Sequence, residues 1–192
     1  QANMMLTPKN VEAAAEVIAN ADVLMLQLEV PLDTSQRAAE IAKTSGTIVI
    51  LNPAPACEIP ESLFHLVDIL IPNKTEAELL SGISINDDDS VKRVAKVLLS
   101  EEISVLILTF GELGSILFKD DKSTLIPPYV MDAVDTTGAG DAYCGALAAS
   151  LAEGKKIEDA VYFASAAGAL AVTKMGAEPS MPTRQDMEVF FD

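Results

Sequence analysis

The feature that most constrains this chain is its alternation of short apolar runs with longer segments of helical period. Residues 23–28, 47–51, 67–71, 105–109 and 115–119 read as buried strands, several of them rich in β-branched residues. Helical segments are expected at residues 8–20, 33–45, 74–81 and 90–100. Three more follow: one running from the turn at residues 136–140 to residue 152, then 157–173 and 183–190. Thr7-Pro8 is an N-cap followed by proline at the first helical position. Asp33 is expected to cap the second helix, with Gly46 just past its end. Asn86-Asp-Asp-Asp89 suits the positive end of a helix dipole and lacks the glycine and distal glutamate of a calcium loop. Strands that alternate with helices pair in parallel, with helices over the sheet and right-handed crossovers. The expectation is a three-layer α/β/α fold with a largely parallel central sheet, residues 1–192 forming one domain. Ligands of such sheets bind outside the carboxyl ends of the strands. The loops to inspect are therefore residues 27–31, 52–56, 73–76 and 109–114.

Composition narrows the function. Thirteen Lys and Arg against 29 Asp and Glu give a net charge of −16, which repels nucleic acid and anionic membrane. A hydrophobic content of 49% is enough to bury a sizeable core. The longest uncharged runs, residues 44–57 and 160–173, are 14 residues each. A membrane-spanning helix needs ~20 apolar residues, so no transmembrane segment is expected, and no signal peptide is apparent. Two cysteines, Cys57 and Cys144, read as reduced thiols of a cytoplasmic protein. One histidine and two cysteines cannot build a Cys/His zinc site. His65 has no nucleophile motif nearby, and Cys144 reads as a small packed thiol.

The most informative stretch is Asp135-Thr-Thr-Gly-Ala-Gly-Asp141. Two glycines precede an Ala-rich helix, where free N–H groups of Gly138, Ala139, Gly140 and Asp141 can converge at the positive end of the helix dipole. That arrangement binds an anion, and a transferring phosphoryl group is the natural candidate. Asp141 lies where a carboxylate can take the proton of an attacking hydroxyl; on spacing alone it can equally cap the helix. The next glycine is Gly145, the wrong spacing for a dinucleotide fingerprint, and no GxxxxGK[ST] loop occurs.

At these residues the chain resembles a known family. Val134-Asp-Thr-Thr-Gly-Ala-Gly-Asp-Ala-Tyr-Cys-Gly-Ala-Leu147 resembles the second signature of the PfkB carbohydrate kinases. Four further stretches resemble the ribokinase branch of that family: Gln27-Leu-Glu-Val-Pro31, Asn52-Pro-Ala-Pro-Ala56, Pro72-Asn-Lys-Thr-Glu-Ala-Glu-Leu-Leu-Ser-Gly82 and Val172-Thr-Lys-Met-Gly-Ala-Glu-Pro-Ser180. The resemblance implies the ribokinase-like fold and ATP-dependent phosphorylation of ribose at its 5-hydroxyl. Asp141 matches the catalytic base, and Gly138, Ala139 and Gly140 the anion hole. Glu29 matches a sugar contact; read by itself it is a polar strand terminus. Asn73 and Glu76 match an Asn-x-x-Glu motif near the phosphates and the magnesium shell, Glu76 acting through water. The same pair also reads as a helix N-cap with its capping-box partner, and the two roles are compatible. Thr109, Gly111, Glu112 and Gly114 match the loop along the nucleotide. Asp135 and Thr137, with Ala171, Lys174, Gly176 and Ser180, match a loop that holds potassium mostly through backbone carbonyls. Ser165 lies near the adenine, where relatives often carry His or Asn.

The family's N-terminal region, with the sugar-gripping segments and a β lid, matches nothing in this chain, which begins Gln-Ala-Asn. The fold is therefore expected to be truncated at its N-terminus, leaving an exposed sheet edge, and the isolated chain to phosphorylate ribose poorly. The expected partners are a sugar and ATP, with a homodimer in the longer protein. Two other readings stand beside this one: a PfkB-family kinase for another sugar or a nucleoside, and a non-catalytic nucleotide-binding module.

Overall fold

Ile50, Leu51, Leu70 and Leu106 are fully buried at the centre of a parallel ladder. Such runs, hidden on both faces, are what a parallel sheet covered by helices requires. The structure, a computed structural model, describes residues 2–99 and 103–191. It divides into two compact units: Gln1–Thr109 with Phe118–Ser123, and Phe110–Leu117 with Thr124–Asp192.

In the first unit α1 (Pro8–Ala13) and α2 (Ala15–Ala19) lead into β1 (Val23–Leu26). There follow α3 (Leu32–Ser45), β2 (Ile48–Leu51), α4 (Glu61–Phe64), β3 (Ile69–Leu70), α5 (Lys74–Ser81), α6 (Asp88–Leu98) and β4 (Val105–Thr109). β1 pairs with β2, β2 with β3 and β3 with β4, all parallel; the register sets Leu26 beside Leu51 and Leu51 beside Leu70. β5 (Ser115–Lys119) and β6 (Lys122–Ile126) are joined by the two-residue turn Asp120-Asp121, whose end lies in this unit. A two-residue turn joins antiparallel strands, so the six-stranded sheet, ordered β1-β2-β3-β4-β5-β6, is mixed. The second unit holds α7 (Ala139–Ala152), α8 (Ile157–Ala171) and α9 (Arg184–Phe191).

Local chemistry explains most element ends. Gly46 (φ +81°) and Gly82 (φ +68°) close α3 and α5 in the left-handed conformation that only glycine adopts freely. Asp87 caps α6 by accepting from the Ser90 N–H at 2.7 Å. α6 turns Val91, Val94, Ala95 and Leu98 into the core, the three-and-four spacing of an amphipathic helix. At its end, residue 100 of the expected helix lies outside the described residues.

Several boundaries differ from expectation. The helix expected over residues 8–20 breaks at Ala14, where neither glycine nor proline marks the change. Asp33 does not cap α3. The carbonyl of Pro31 already accepts the Thr34 and Ser35 N–H groups, so the helix starts at Leu32 and Asp33 lies inside its first turn. β3 keeps only two residues, because Val67 N–H turns back to the Phe64 carbonyl and Pro72 has no N–H to offer. β6 was not anticipated. Four of the five β6 residues are exposed, so its sequence shows no apolar alternation.

Asp120 and Asp121 both take positive φ, +50° and +57°. This is the geometry of a hairpin turn, which favours glycine at its second position. Asp121→Gly should therefore raise stability by roughly 0.5 kcal/mol, read as a higher urea midpoint. An unchanged or lower midpoint would contradict the strain assigned to this turn.

Candidate functional site

The carboxyl ends of the four parallel strands are tied to one another in the first unit. The Asn52 N–H donates to the Leu26 carbonyl at 3.0 Å, and the Leu28 N–H to the Ala54 carbonyl at 2.8 Å. The Ile71 N–H reaches the Leu51 carbonyl at 2.9 Å, and the Thr109 N–H the Pro72 carbonyl at 3.0 Å. Asn73 and Thr109 make one further parallel bridge. The Ala54-Pro55 peptide is cis. Glu29 is exposed on the loop just beyond β1.

Asn73 opens α5. Its Oδ1 accepts the Glu76 N–H at 3.0 Å; in return Glu76 Oε2 accepts the Asn73 N–H and Oε1 the Asn73 side-chain amide, both at 2.8 Å. This is the reciprocal capping box anticipated from the sequence. Glu76 is only 4% exposed. Burial pushes its pKa up, and the two bonds from Asn73 oppose that shift.

In the second unit the chain bends through a tight turn at Gly111–Leu113, closed by Phe110 N–H donating to the Gly114 carbonyl at 2.8 Å. Glu112 is exposed. Gly114 has φ +90°, and a Cβ there would stand 2.2 Å from the Ile126 carbonyl oxygen, so no other residue fits. Thr109 belongs to the first unit.

The start of α7 is built differently from the expectation. Gly138 (φ +83°) is the residue that precedes the helix, while Gly140 is already its second residue. The Ala139 N–H donates to the Thr136 carbonyl at 3.2 Å, and the Ala142 N–H to that of Gly138 at 2.8 Å. N–H groups of a first helical turn have no acceptor four residues back within the helix, and they carry its positive partial charge. Asp141 is exposed in that turn.

Two segments are laced together beside it. Asp135 Oδ1 accepts the Thr137 N–H at 3.0 Å and Oδ2 the Gly176 N–H at 2.9 Å. The Val134 and Asp135 N–H groups both donate to the Val172 carbonyl, at 2.7 and 3.1 Å. Buried Ser180 donates Oγ to the Ala177 carbonyl at 2.7 Å. The bond from Gly176, then those from Thr137, hold the Asp135 carboxyl below the usual carboxylate range. Asp135, Thr137, Ala171, Lys174, Gly176 and Ser180 lie on two segments joined by these hydrogen bonds. Ser165 is half-buried on α8.

Two anchors beneath α7 were not anticipated. A Cβ on Gly168 of α8 would lie 3.3 Å from the Ala139 carbonyl oxygen, so the two helices meet backbone to backbone. The Tyr143 hydroxyl meets Ser115 Oγ at 3.4 Å, with both residues buried. Burial drives the Tyr143 pKa above its ordinary value. Cys144 is buried next to it, and His65 stands 3.4 Å from Glu61 on α4. Among the described residues no three His, Cys, Asp or Glu side chains gather as a metal cluster. None of the described helices is long and apolar enough to cross a membrane.

The model of the pfkB family carbohydrate kinases matches residues 1–184, and the chain belongs to that family. It is 40% identical to a ribokinase of Haemophilus influenzae over 191 residues, covering 100% of this chain and 62% of that protein. It is 36% identical to a deoxyribokinase of Salmonella typhi, covering 95% of this chain and 60% of that one. A ribokinase of Arabidopsis thaliana, solved with ribose and ATP, superposes with a TM-score of 0.89 at 30% identity, covering 98% of this chain and 60% of that one. The fold is therefore ribokinase-like α/β. The chain spans about three-fifths of the length of these relatives.

Two outcomes test this geometry. Gly138→Ala forces an L side chain into a left-handed conformation against Met181 Cε, 2.8 Å away, and should cost about 1–2 kcal/mol in a urea melt. For Asp135 the folded pKa lies below the ordinary 3.8. Its stabilising contribution is complete above that value and is lost as pH falls through the depressed one. Asp135→Asn should thus be less stable than the parent at pH 6, with the gap closing on acidification. A pH-independent gap would remove the charge-assisted role.

Proposed function

We propose that this protein is an ATP-dependent sugar kinase that phosphorylates D-ribose at its 5-hydroxyl, giving ribose 5-phosphate. The observation that carries the reading is the start of α7, a left-handed glycine leading a helix whose first turn holds Asp141. Family membership and the ribokinase relatives support it. In this reading the ribose O5 attacks the γ-phosphorus, Asp141 accepts the hydroxyl proton, and the bond to the β–γ bridging oxygen breaks to release ADP. The Gly138, Ala139 and Gly140 turn stabilises the equatorial oxygens with its amides and the helix dipole. Of the amides there, that of Ala139 also donates to the Thr136 carbonyl at 3.2 Å. Glu29 accepts a hydrogen bond from the sugar. Thr109, Gly111, Glu112 and Gly114 line the nucleotide, and Ser165 the adenine side.

The residues present fit the expected ions. Both Glu76 oxygens are engaged by Asn73; Glu76 would act on magnesium through water, and Asn73 would contact the nucleotide. Magnesium supplies charge neutralisation on the phosphates when bound. The carbonyl and side-chain oxygens of Asp135, Thr137, Ala171, Lys174, Gly176 and Ser180 would suit a hard cation, and potassium held there would stiffen the turn before α7. Lys174 serves by its carbonyl. The match across residues 1–184 spans both units and supports one catalytic portion. A cytoplasmic location and a homodimer of the intact protein belong to the same reading, the location resting on two cysteines that read as reduced thiols. The deoxyribokinase relative makes 2-deoxyribose the competing substrate.

The test is phosphoryl transfer by the intact protein, with ATP, magnesium and potassium, over ribose, 2-deoxyribose, fructose and nucleosides. Ribose-selective turnover is expected. Preference for 2-deoxyribose would move the assignment to that sugar, and absence of transfer to any acceptor would overturn it. Asp141→Asn should leave nucleotide binding intact and lower kcat by about 10²–10⁴-fold; full activity would remove Asp141 from the role of base.

A further inference from the structure

Asn52 belongs to the Asn-Pro-Ala-Pro-Ala segment after β2, to which the function above assigns no role. Its side-chain amide is half-buried and used on both sides. Nδ2 donates to the Ile71 carbonyl at 2.8 Å, and Oδ1 accepts from Gln27 Nε2 at 3.3 Å. Its backbone N–H donates to the Leu26 carbonyl at 3.0 Å. One planar group therefore bridges the ends of three neighbouring strands. Gln27 stands two residues before Glu29, and Ile71 two residues before Asn73. The parallel register sets these strand ends side by side, Leu26 with Leu51 and Leu51 with Leu70. The loop after β1 is held again by Leu28 N–H donating to the Ala54 carbonyl at 2.8 Å.

We propose that Asn52 is a positioning residue that fixes the sugar-side loop bearing Glu29 relative to the nucleotide-side box of Asn73 and Glu76. Asparagine suits the position because one rigid amide carries a donor for a carbonyl on one side and an acceptor for an amide on the other. Aspartate keeps the acceptor, loses the donor, and sets an oxygen against the Ile71 carbonyl. Leucine loses both. The inference rests on the reading of Glu29 as sugar contact and of Asn73 and Glu76 as nucleotide-side groups.

The two bonds can be cut separately in the intact protein. Asn52→Asp cuts the Ile71 link and spares the Gln27 link, and should raise KM for ATP about five- to tenfold with the sugar KM within about twofold. Gln27→Met cuts the other link, and should raise KM for the sugar by a similar factor with the ATP KM nearly unchanged. Asn52→Leu should raise both. A merely structural role predicts the opposite pattern: lower thermal stability in all three variants with both KM values unmoved or moved together, and that result overturns the proposal. Glu29→Gln, assayed alongside, separates the two failures. If it leaves the sugar KM unchanged, the reading of the site falls and the inference with it. If it raises the sugar KM while Asn52→Asp and Gln27→Met shift neither constant, the inference alone falls.

Discussion

Four parallel strands that end together leave their last backbone groups without a ladder partner, and buried groups of that kind must find one. The loops of the first unit are shaped by this demand. Leu28 turns to the Ala54 carbonyl, Thr109 to that of Pro72, and the side chain of Asn52 serves both flanking loops. These bonds flank the loop that carries Glu29 and the strand end that leads to the Asn73–Glu76 box. The same hydrogen-bond economy sets where α5 begins, because the cap of that helix is also the residue that bridges to Thr109.

The second unit meets a comparable demand at the start of α7 by other means. A left-handed glycine turns the chain so that the helix presents its first amides, and the Asp135 carboxylate bonds amides on both segments that frame it. Small residues on α7 and α8 let the helices approach until Gly168 meets the Ala139 carbonyl. Glu76 and Asp135 show how burial and bonding divide the fate of a carboxylate. Desolvation dominates at Glu76 and raises its pKa, whereas amide donors dominate at Asp135 and lower it.

Much of this was legible in the sequence. The spacing of Asn73 and Glu76 announced their capping box, Gly46 announced the end of α3, and β4 and β5 were marked to the residue by apolar runs. Where the sequence misled, a backbone group had a competing partner. The Pro31 carbonyl started α3 ahead of Asp33, and the Phe64 carbonyl drew Val67 out of β3. β6 carried no apolar alternation because most of its residues face solvent. Gly140 was read as part of the turn, yet only Gly138 needs positive φ there.

By itself the sequence determined the class of fold, the residue types at the strand ends and the glycine-led turn bearing Asp141. These follow from local period, turn chemistry and composition, each acting over a few residues. The tertiary structure alone decided that Asn52 bridges Gln27 and Ile71, that Asp135 reaches Gly176, and that Tyr143 meets Ser115. Those partners lie 19 to 41 residues apart. No local preference encodes such pairings: they arise when strand register and helix packing bring distant polar groups within bonding distance, away from water.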